Sequence, residues 1–332
     1  MHGGNSMAKQ IPVIDLAPAL GGSAADRLAV ARAIDRACVE IGFFTITGHG
    51  VPADIVDRLR RLSHEFFALP LAEKRRAVHP VPNTPRGYIA MGSEALSYAS
   101  EVDSPPDLKE FYHVGRERWP DQAYFTGPEG RRYFIPNFWP AQPPGLGEAA
   151  DRYYGAMERL DLELMRLAAL GLGIDEHFFE NKVDKHIAAM RLNFYPEQSA
   201  APQPDQLRAG AHTDYGLLTI LNGENVPGGL QVQIRDGSWI DVETAPESFV
   251  VNIGDLMMRW TNDRWVSNPH RVVNPPAESA ARARRLSVAF FLHPNYDTII
   301  ECIAPPGQAK YPPIGSGAYR DFKYQQTRVA AE

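Results

Sequence analysis

The segment HTDYGLLTIL, residues 212–221, carries two potential metal ligands at the start of a β-prone run. In a β-strand, residues i and i+2 point to the same face, so His212 and Asp214 are predicted to converge on one point. Other β-prone runs surround this segment, at residues 187–195, 230–234, 239–242, 249–253 and 286–293. Many short strands separated by turn residues predict a mainly β fold, an antiparallel sandwich or barrel with flanking helices.

The N-terminal part of the chain alternates short strands with helices. Strands are predicted at residues 11–16 and 43–47, with a helix between them that Ser23 caps and Gly42 stops. The turn Gly48-His49-Gly50 approximates a dinucleotide-binding motif, but the strand-rich second half lacks the parallel crossovers of that fold, so a plain strand-to-helix turn is predicted. Residues 80–144 are predicted to be irregular with short strands, and residues 148–170 to form a long amphipathic helix that ends at Gly171 and Gly173.

Composition excludes several classes of protein. The chain has 332 residues, 44% of them hydrophobic and 22% charged, with a net charge of -6 and no long basic face. A soluble globular protein that does not bind nucleic acid is therefore predicted. Its two cysteines fit a reducing compartment, and no apolar run is long enough to span a membrane. Residues 1–6 resemble an added leader and no signal peptide is visible, so the cytoplasm is the expected location.

A third metal ligand is needed to make a site, and His270 can supply it. A bare H-x-D pattern is expected about 0.6 times by chance in such a chain, so His212 and Asp214 alone mean little. Two imidazoles and one carboxylate on one face of a metal leave adjacent positions open, which is the arrangement of non-haem iron(II) oxygenases. A hydrolytic zinc site has similar ligands, but the helical H-E-x-x-H motif is absent. Ordinary polar roles for the three residues are the other alternative.

Two further predicted strands carry polar residues at every second position. Arg285 and Ser287 share one face, and a guanidinium beside a hydroxyl suits a buried carboxylate. Arg191, Asn193 and Tyr195 share a face of another strand. Buried polar groups need partners, so inward-facing side chains there would suit a polar ligand. On a solvated face the same residues would have no special role.

Taken in order, these motifs resemble the iron(II)/2-oxoglutarate-dependent oxygenase superfamily, in its isopenicillin N synthase-like branch. The resemblance runs from Ile11 to about Pro305. Its motifs are IPVID (11–15), GFF (42–44), GHGVP (48–52), RGY (86–88), DLKE (107–110), RLNFYP (191–196), HTDYG (212–216), GGLQV (228–232), VNIGD (251–255), WTN (260–262), PHRV (269–272) and RLS (285–287). Each motif is weak alone, but their joint order is specific.

The resemblance implies a fold, a set of cofactors and a reaction. It implies a distorted double-stranded β-helix (jelly-roll) core, with residues 7–100 as an N-terminal helix and strand region, 101–305 as the catalytic core and 306–332 as a C-terminal tail. It implies iron(II) bound by His212, Asp214 and His270. It also implies 2-oxoglutarate held by Arg285 and Ser287, with Asn193 and Tyr195 lining its pocket.

The reaction that the resemblance implies is oxidation of a small molecule by dioxygen, with succinate and carbon dioxide as co-products. Hydroxylation is the expected outcome, with desaturation and ring closure as alternatives. An oxidase of the same fold that does not use 2-oxoglutarate is a rival, because such enzymes also carry the R-x-S pair. A binding protein that keeps the scaffold without chemistry is a second rival.

The identity of the primary substrate cannot be predicted from these motifs. Arg86 and Arg191 are candidates for binding an anionic group, and aromatic residues are candidates for an apolar wall. The aromatic candidates are Tyr88, Phe111, Trp260 and Phe291. The sequence predicts no particular oligomeric state.

Overall fold

The computed structural model describes residues 10–93, 105–245 and 247–327. Within these ranges the strands are β1 Val13–Asp15, β2 Phe43–Thr47, β3 Gly87–Ile89, β4 Glu110–Gly115, β5 Ala189–Tyr195, β6 Ala209–His212, β7 Leu218–Gly223, β8 Leu230–Gln233, β9 Trp239–Asp241, β10 Phe249–Ile253, β11 His270–Val272, β12 Arg285–Phe291, β13 Ile299–Ile300 and β14 Ile314–Gly315. The α-helices are α1 Ala17–Gly21, α2 Ala24–Glu40, α3 Ala53–Phe67, α4 Leu71–Arg75, α5 Ala123–Thr126, α6 Leu146–Leu172, α7 Glu180–Val183, α8 Asp255–Trp260 and α9 Ser316–Thr327.

Two sheets face each other across an apolar interior. The large sheet has eight strands in the order β1-β2-β10-β7-β12-β5-β4-β3, and the small sheet has four in the order β6-β11-β8-β9. All neighbouring strands in both sheets pair antiparallel, except β1 with β2. The buried cluster between the sheets includes Tyr195, Val232, Val250 and Val272. The predicted jelly-roll fold with flanking helices is confirmed.

Helices cover the outer face of the large sheet. The main core cluster joins residues of α2, α3 and α6 to sheet residues such as Phe44, Val251, Val288 and Phe290. The central strands β10 and β12 are therefore buried on both faces. This explains why their sequences are nearly continuous apolar runs. The strands β1 to β3, from the predicted N-terminal region, lie at the two ends of this same sheet, and the proposed boundary near residue 100 stays a prediction.

The predicted helix boundaries agree with local contacts in most places. Ser23 and Asp26 form a capping box at the start of α2. Gly42 follows α2 with a φ of +71°, and a Cβ there would lie 2.0 Å from the carbonyl oxygen of Val266. The long helix α6 runs to Leu172 and ends at the predicted Gly173, which caps it with a φ of +75°, whereas Gly171 lies inside the helix. A Cβ at Gly171 would lie 2.7 Å from the carbonyl oxygen of Ala31, so this glycine lets α6 pack closely on α2.

Two other predictions need correction. Residues 212–221 do not form one strand, because β6 ends at His212 and β7 begins at Leu218. The residues between them carry the chain from the small sheet to the large sheet, and Asp214 therefore lies in a turn. The predicted C-terminal tail, residues 306–332, contains β14 and the helix α9. None of the helices found within the described ranges is both long and apolar enough to cross a membrane.

Candidate active site

His212, Asp214 and His270 come together at the edge of the small sheet. His212 is the last residue of β6 and pairs in register with His270, the first residue of β11. The Nε2 atoms of His212 and His270 lie 3.9 and 3.8 Å from Oδ1 of Asp214. One ligand atom from each residue falls within 4.8 Å of the others, and no other such group of three or more was found in the described ranges. The predicted ligands therefore surround one point, although Asp214 reaches it from a turn.

Hydrogen bonds fix the orientation of these three side chains. Nδ1 of His212 lies 2.8 Å from the carbonyl oxygen of Gly210, which turns Nε2 toward the common point. Oδ2 of Asp214 accepts hydrogen bonds from Thr219 at 2.6 Å and Asn252 at 2.8 Å, so Oδ1 is left to face the imidazoles. Thr219 and Asn252 belong to the large sheet. The carboxylate is thus held by one sheet and the imidazoles by the other.

The electrostatics of the cluster favour metal binding. Burial and the nearby His270 lower the pKa of His212, so its imidazole is neutral at physiological pH and can donate a lone pair. Burial alone would raise the pKa of Asp214. The two imidazoles and the hydrogen bonds from Thr219 and Asn252 outweigh it, so the pKa lies below its usual value.

Asp255, the first residue of α8, ties together the segments that carry the ligands. Its backbone N–H donates to the carbonyl oxygen of Asp214 at 2.8 Å. Its carboxylate accepts hydrogen bonds from Thr213 at 3.1 Å and from Ser267 at 2.8 Å. Thr213 lies between two ligands, and Ser267 precedes His270 in the chain. Asp255 belongs to the VNIGD motif (251–255), but its bridging role could not be predicted without the fold.

Next to the metal cluster, the paired strands β5 and β12 present a set of polar side chains. Arg285 pairs with Tyr195, and Ser287 pairs with Asn193. All four line the same cavity as His212, Asp214 and His270. The sequence prediction that these residues share inward faces is therefore correct, and the structure brings them to one side of the cavity.

Arg285 and Ser287 carry buried polar atoms that lack a protein partner. Arg285 is 1% exposed, and its Nε donates to the carbonyl oxygen of Glu224 at 3.1 Å. Its Nη1, and the Oγ of Ser287, have no hydrogen-bond partner within the described part of the chain. Unsatisfied buried donors are costly. A carboxylate group would satisfy both, so the residues present fit the distal carboxylate of 2-oxoglutarate.

The carboxylate of Glu224 links strand β12 to helix α3. It accepts hydrogen bonds from the backbone N–H of Leu286 at 2.8 Å, from Arg60 at 3.2 Å and from His64 at 2.7 Å. Burial opposes ionisation of Glu224, but these donors outweigh it and lower its pKa to about 2. The α3 residues Arg60 and His64 are thereby fastened to β12 next to Arg285.

Of the predicted substrate residues, Arg191 and Phe291 line the cavity. The guanidinium carbon of Arg191 lies 4.6 Å from the ring centroid of Phe111 and 5.9 Å from that of Phe291. Among the lining residues that sequence reasoning missed, four have titratable side chains. They are Lys109, Tyr215, His293 and Tyr324.

In the described part of the chain, the residues that line the cavity do not include the predicted substrate residues Arg86, Tyr88, Phe111 and Trp260. Arg86 is 4% exposed and donates to the carbonyl oxygens of Pro85, Tyr133 and Ile135. The hydroxyl of Tyr88 donates to Glu110, which also pairs with a buried lysine. Trp260 packs in the core with its ring centroid 5.0 Å from that of Phe179. The contacts of Arg86, Tyr88 and Trp260 are therefore with the surrounding core, and a substrate role for them stays a prediction.

Two family models match the chain. One is described as the N-terminal region of non-haem dioxygenase in morphine synthesis and matches residues 11–142. The other is the 2OG-Fe(II) oxygenase superfamily and matches residues 186–294. The 2-oxoglutarate-Fe(II) type oxidoreductase hxnY of Emericella nidulans is 35% identical, over 97% of this chain and 91% of its own. Validamycin A dioxygenase of Streptomyces hygroscopicus subsp. limoneus is 31% identical, over 94% of this chain and 85% of its own.

Solved structures agree with the sequence comparisons. A full-length protein of Neurospora crassa, solved in complex with alpha-KG, superposes with a TM-score of 0.83 and 34% identity, covering 95% of each chain. The same Neurospora protein in complex with alpha-KG and thymine gives a TM-score of 0.80 and 34% identity, covering 93% of this chain and 94% of the other. The likeness therefore extends over nearly the whole length of both proteins.

Proposed function

The chain belongs to the 2OG-Fe(II) oxygenase superfamily, and from that premise we propose which of its residues carry the reaction. It is an iron(II)- and 2-oxoglutarate-dependent oxygenase. His212, Asp214 and His270 bind the iron. Arg285 and Ser287 bind the distal carboxylate of 2-oxoglutarate, with Asn193 and Tyr195 beside them. The observation that carries this assignment is the pair of unsatisfied buried atoms, Nη1 of Arg285 and Oγ of Ser287, in the same cavity as the three ligands.

When bound, iron(II) and 2-oxoglutarate activate dioxygen for oxidation of the substrate, and 2-oxoglutarate is converted to succinate and carbon dioxide. The chain itself binds, orients and excludes water. His212, Asp214 and His270 would hold the iron through three side chains, a ligand set that suits a metal with exchangeable co-substrates. Arg285 and Ser287 fix one end of the co-substrate, so that its other end is directed toward the metal. The alternatives of a 2-oxoglutarate-independent oxidase and of a non-catalytic binding protein are not favoured by the relatives.

The primary substrate is proposed to be a small molecule. The relatives support this class: one is named for validamycin A, and another is solved with thymine. Their different ligands do not select one compound for this chain. Arg191 and Phe291, which line the cavity, support the narrower proposal that Arg191 binds an acidic group of the substrate while aromatic residues form an apolar wall.

The two free thiols, Cys38 and Cys302, support a cytoplasmic location.

The assignment of the iron ligands is tested by Asp214→Ala. The wild-type protein, given iron(II), 2-oxoglutarate and dioxygen, should form succinate, whereas Asp214→Ala should bind no iron and form none. Asp241→Ala, which removes an exposed carboxylate on β9, is the matched control and should behave as wild type. Iron content and succinate are both measured. Near-normal succinate formation by Asp214→Ala would overturn the assignment.

A further inference from the structure

The C-terminal helix α9 reaches the wall of the iron cavity. Tyr324 lines this cavity, and its ring centroid lies 6.0 Å from that of Tyr215. Tyr324 also lines a groove on the outside of the protein, together with Pro85, Arg132 and Arg320. One side chain of α9 therefore separates the cavity from a surface groove.

Lys323, the neighbour of Tyr324, connects α9 to the metal-binding segments. Its Nζ lies 2.7 Å from Oδ2 of Asp255, whose side chain is only 8% exposed. That carboxylate also accepts the hydrogen bonds from Thr213 and Ser267 described above. One buried carboxylate thus joins three segments: the turn that carries Asp214, the approach to β11 and the C-terminal helix.

We propose that Lys323 is a positioning residue of the active site. Its ion pair with Asp255 holds Tyr324 in the cavity wall and stabilises the arrangement of the segments that carry His212, Asp214 and His270. This inference rests on the proposed role of those three residues as iron ligands. Without Lys323, Asp255 is a buried carboxylate that has lost its ammonium partner. It then shifts toward water and loosens its bonds to Thr213 and Ser267.

A second ion pair on the same helix provides a control. Arg132 contacts Asp321, and Tyr133 also donates to Asp321 at 3.2 Å. This pair fastens α9 to the segment around residue 132 and has no contact with Asp255. Removing it tests whether simple docking of α9 is enough to explain an effect at the metal.

The experiment measures iron binding separately from turnover. Apo-protein is titrated with iron(II) without oxygen, and the visible charge-transfer absorption of the complex with 2-oxoglutarate is recorded. Lys323→Met keeps the apolar stem and removes the charge. It should raise the Kd for iron(II) by about threefold to tenfold. This loss of affinity lies at or below the usual range for substitutions of residues that hydrogen-bond to metal ligands. The charge-transfer absorption band should also shift. Lys323→Arg should restore most of the affinity, and Arg132→Met should change it by less than about twofold.

Several outcomes overturn the proposal. It fails if Lys323→Met binds iron(II) as wild type does, or if Arg132→Met weakens binding equally. The single variant Lys323→Met leaves Asp255 as an unpaired buried charge, which disfavours folding. The double variant Lys323→Met/Asp255→Asn contains no such charge, so a double-mutant cycle keeps the proposal testable. The double variant should bind iron(II) no more weakly than either single variant, and additive losses would contradict a paired role. If the wild-type protein gives no charge-transfer absorption at all, the proposed function fails, and not this inference alone.

Discussion

The surroundings of Arg285 support its proposed role in binding the carboxylate of 2-oxoglutarate. Its side chain is buried, its Nε donates to the carbonyl oxygen of Glu224, and its Nη1 has no hydrogen-bond partner among the described residues. A guanidinium is suited to this role because its planar fork matches a carboxylate with two parallel hydrogen bonds. A lysine ammonium at the same place would be a compact charge without that fork.

Arg285→Lys should therefore raise the KM for 2-oxoglutarate steeply. Loss of one bidentate, charge-assisted contact costs about 1.5–3 kcal/mol, which is about ten- to over a hundredfold in binding. The measurement is succinate formation as a function of 2-oxoglutarate concentration. Arg284→Lys is the matched control, since the neighbouring Arg284 side chain is 60% exposed. An unchanged KM in Arg285→Lys would move the carboxylate site elsewhere.

Arg191 and Arg86 should respond differently to the same substitution. Arg191→Met removes a charge from the cavity wall, so turnover of the primary substrate should fall while uncoupled conversion of 2-oxoglutarate continues. Arg86→Met removes the donor to three carbonyl oxygens in the core. Its Tm should fall without a selective effect on substrate turnover. Comparable kinetics in wild type and Arg191→Met would remove Arg191 from the substrate site.

The sequence predicted cavity residues most directly where their spacing matched a strand. Arg285, Ser287, Asn193 and Tyr195 lie at alternate positions of strands, so their common face followed from period two. Arg86, Tyr88 and Trp260 gave no such signal, and the direction in which each points depends on distant segments. His293 and Tyr324 were missed for the same reason: nothing local shows that they reach the cavity.

Among the secondary-structure elements, the contact between α3 and β12 has the clearest energetic consequence. Glu224 follows β7 and accepts hydrogen bonds from α3 and from the backbone of β12. These donors hold its pKa at about 2, below the value of about 4.3 expected in an unfolded chain. Because the folded protein favours the ionised form, Glu224 stabilises the fold above that unfolded value, and the contribution is lost as the pH falls toward 2.

Glu224→Gln should lower the free energy of unfolding by about 1–3 kcal/mol at neutral pH, since it replaces charge-assisted hydrogen bonds with neutral ones. The difference from wild type should be largest above about pH 5 and should shrink between about pH 4.3 and pH 2. Denaturant unfolding at several pH values measures it. Glu197→Gln is a suitable control, because Glu197 is 42% exposed and its ion pair is 3.9 Å long. A pH-independent difference would show that charge on Glu224 is not the cause.

Elements with a strong local pattern were predicted with nearly correct boundaries. The strand at residues 43–47 and the strand at residues 249–253 match β2 and β10 residue for residue. The turn at residues 213–217 was read as strand because its neighbours are β-prone, and only the change of sheet shows where β6 ends. The helix α9 was missed, since its residues are largely polar and its position depends on contacts with Asp255 and Tyr215.

Across the whole molecule, the site lies where the two sheets meet. His212 and His270 come from the small sheet, whereas Arg285, Ser287 and the hydrogen-bond partners of Asp214 come from the large sheet. Neither sheet contains a complete site. If iron and 2-oxoglutarate bind to the residues proposed, their binding uses side chains of both sheets and should stabilise the native state as a whole.

A thermal shift measured without oxygen tests this coupling. Iron(II) with 2-oxoglutarate, each present at about 100 times its Kd, should stabilise the fold by about 2.7 kcal/mol per independent site, which raises the Tm by several degrees in a chain of this size. Asp214→Ala should lose the shift caused by iron(II). Arg285→Lys should keep the Tm shift caused by iron(II). It should need a higher concentration of 2-oxoglutarate to show the further Tm shift that 2-oxoglutarate causes. Because the unfolded chain holds none of these side chains together, an equal shift in wild type and Asp214→Ala would mean that the metal binds outside the cavity between the sheets.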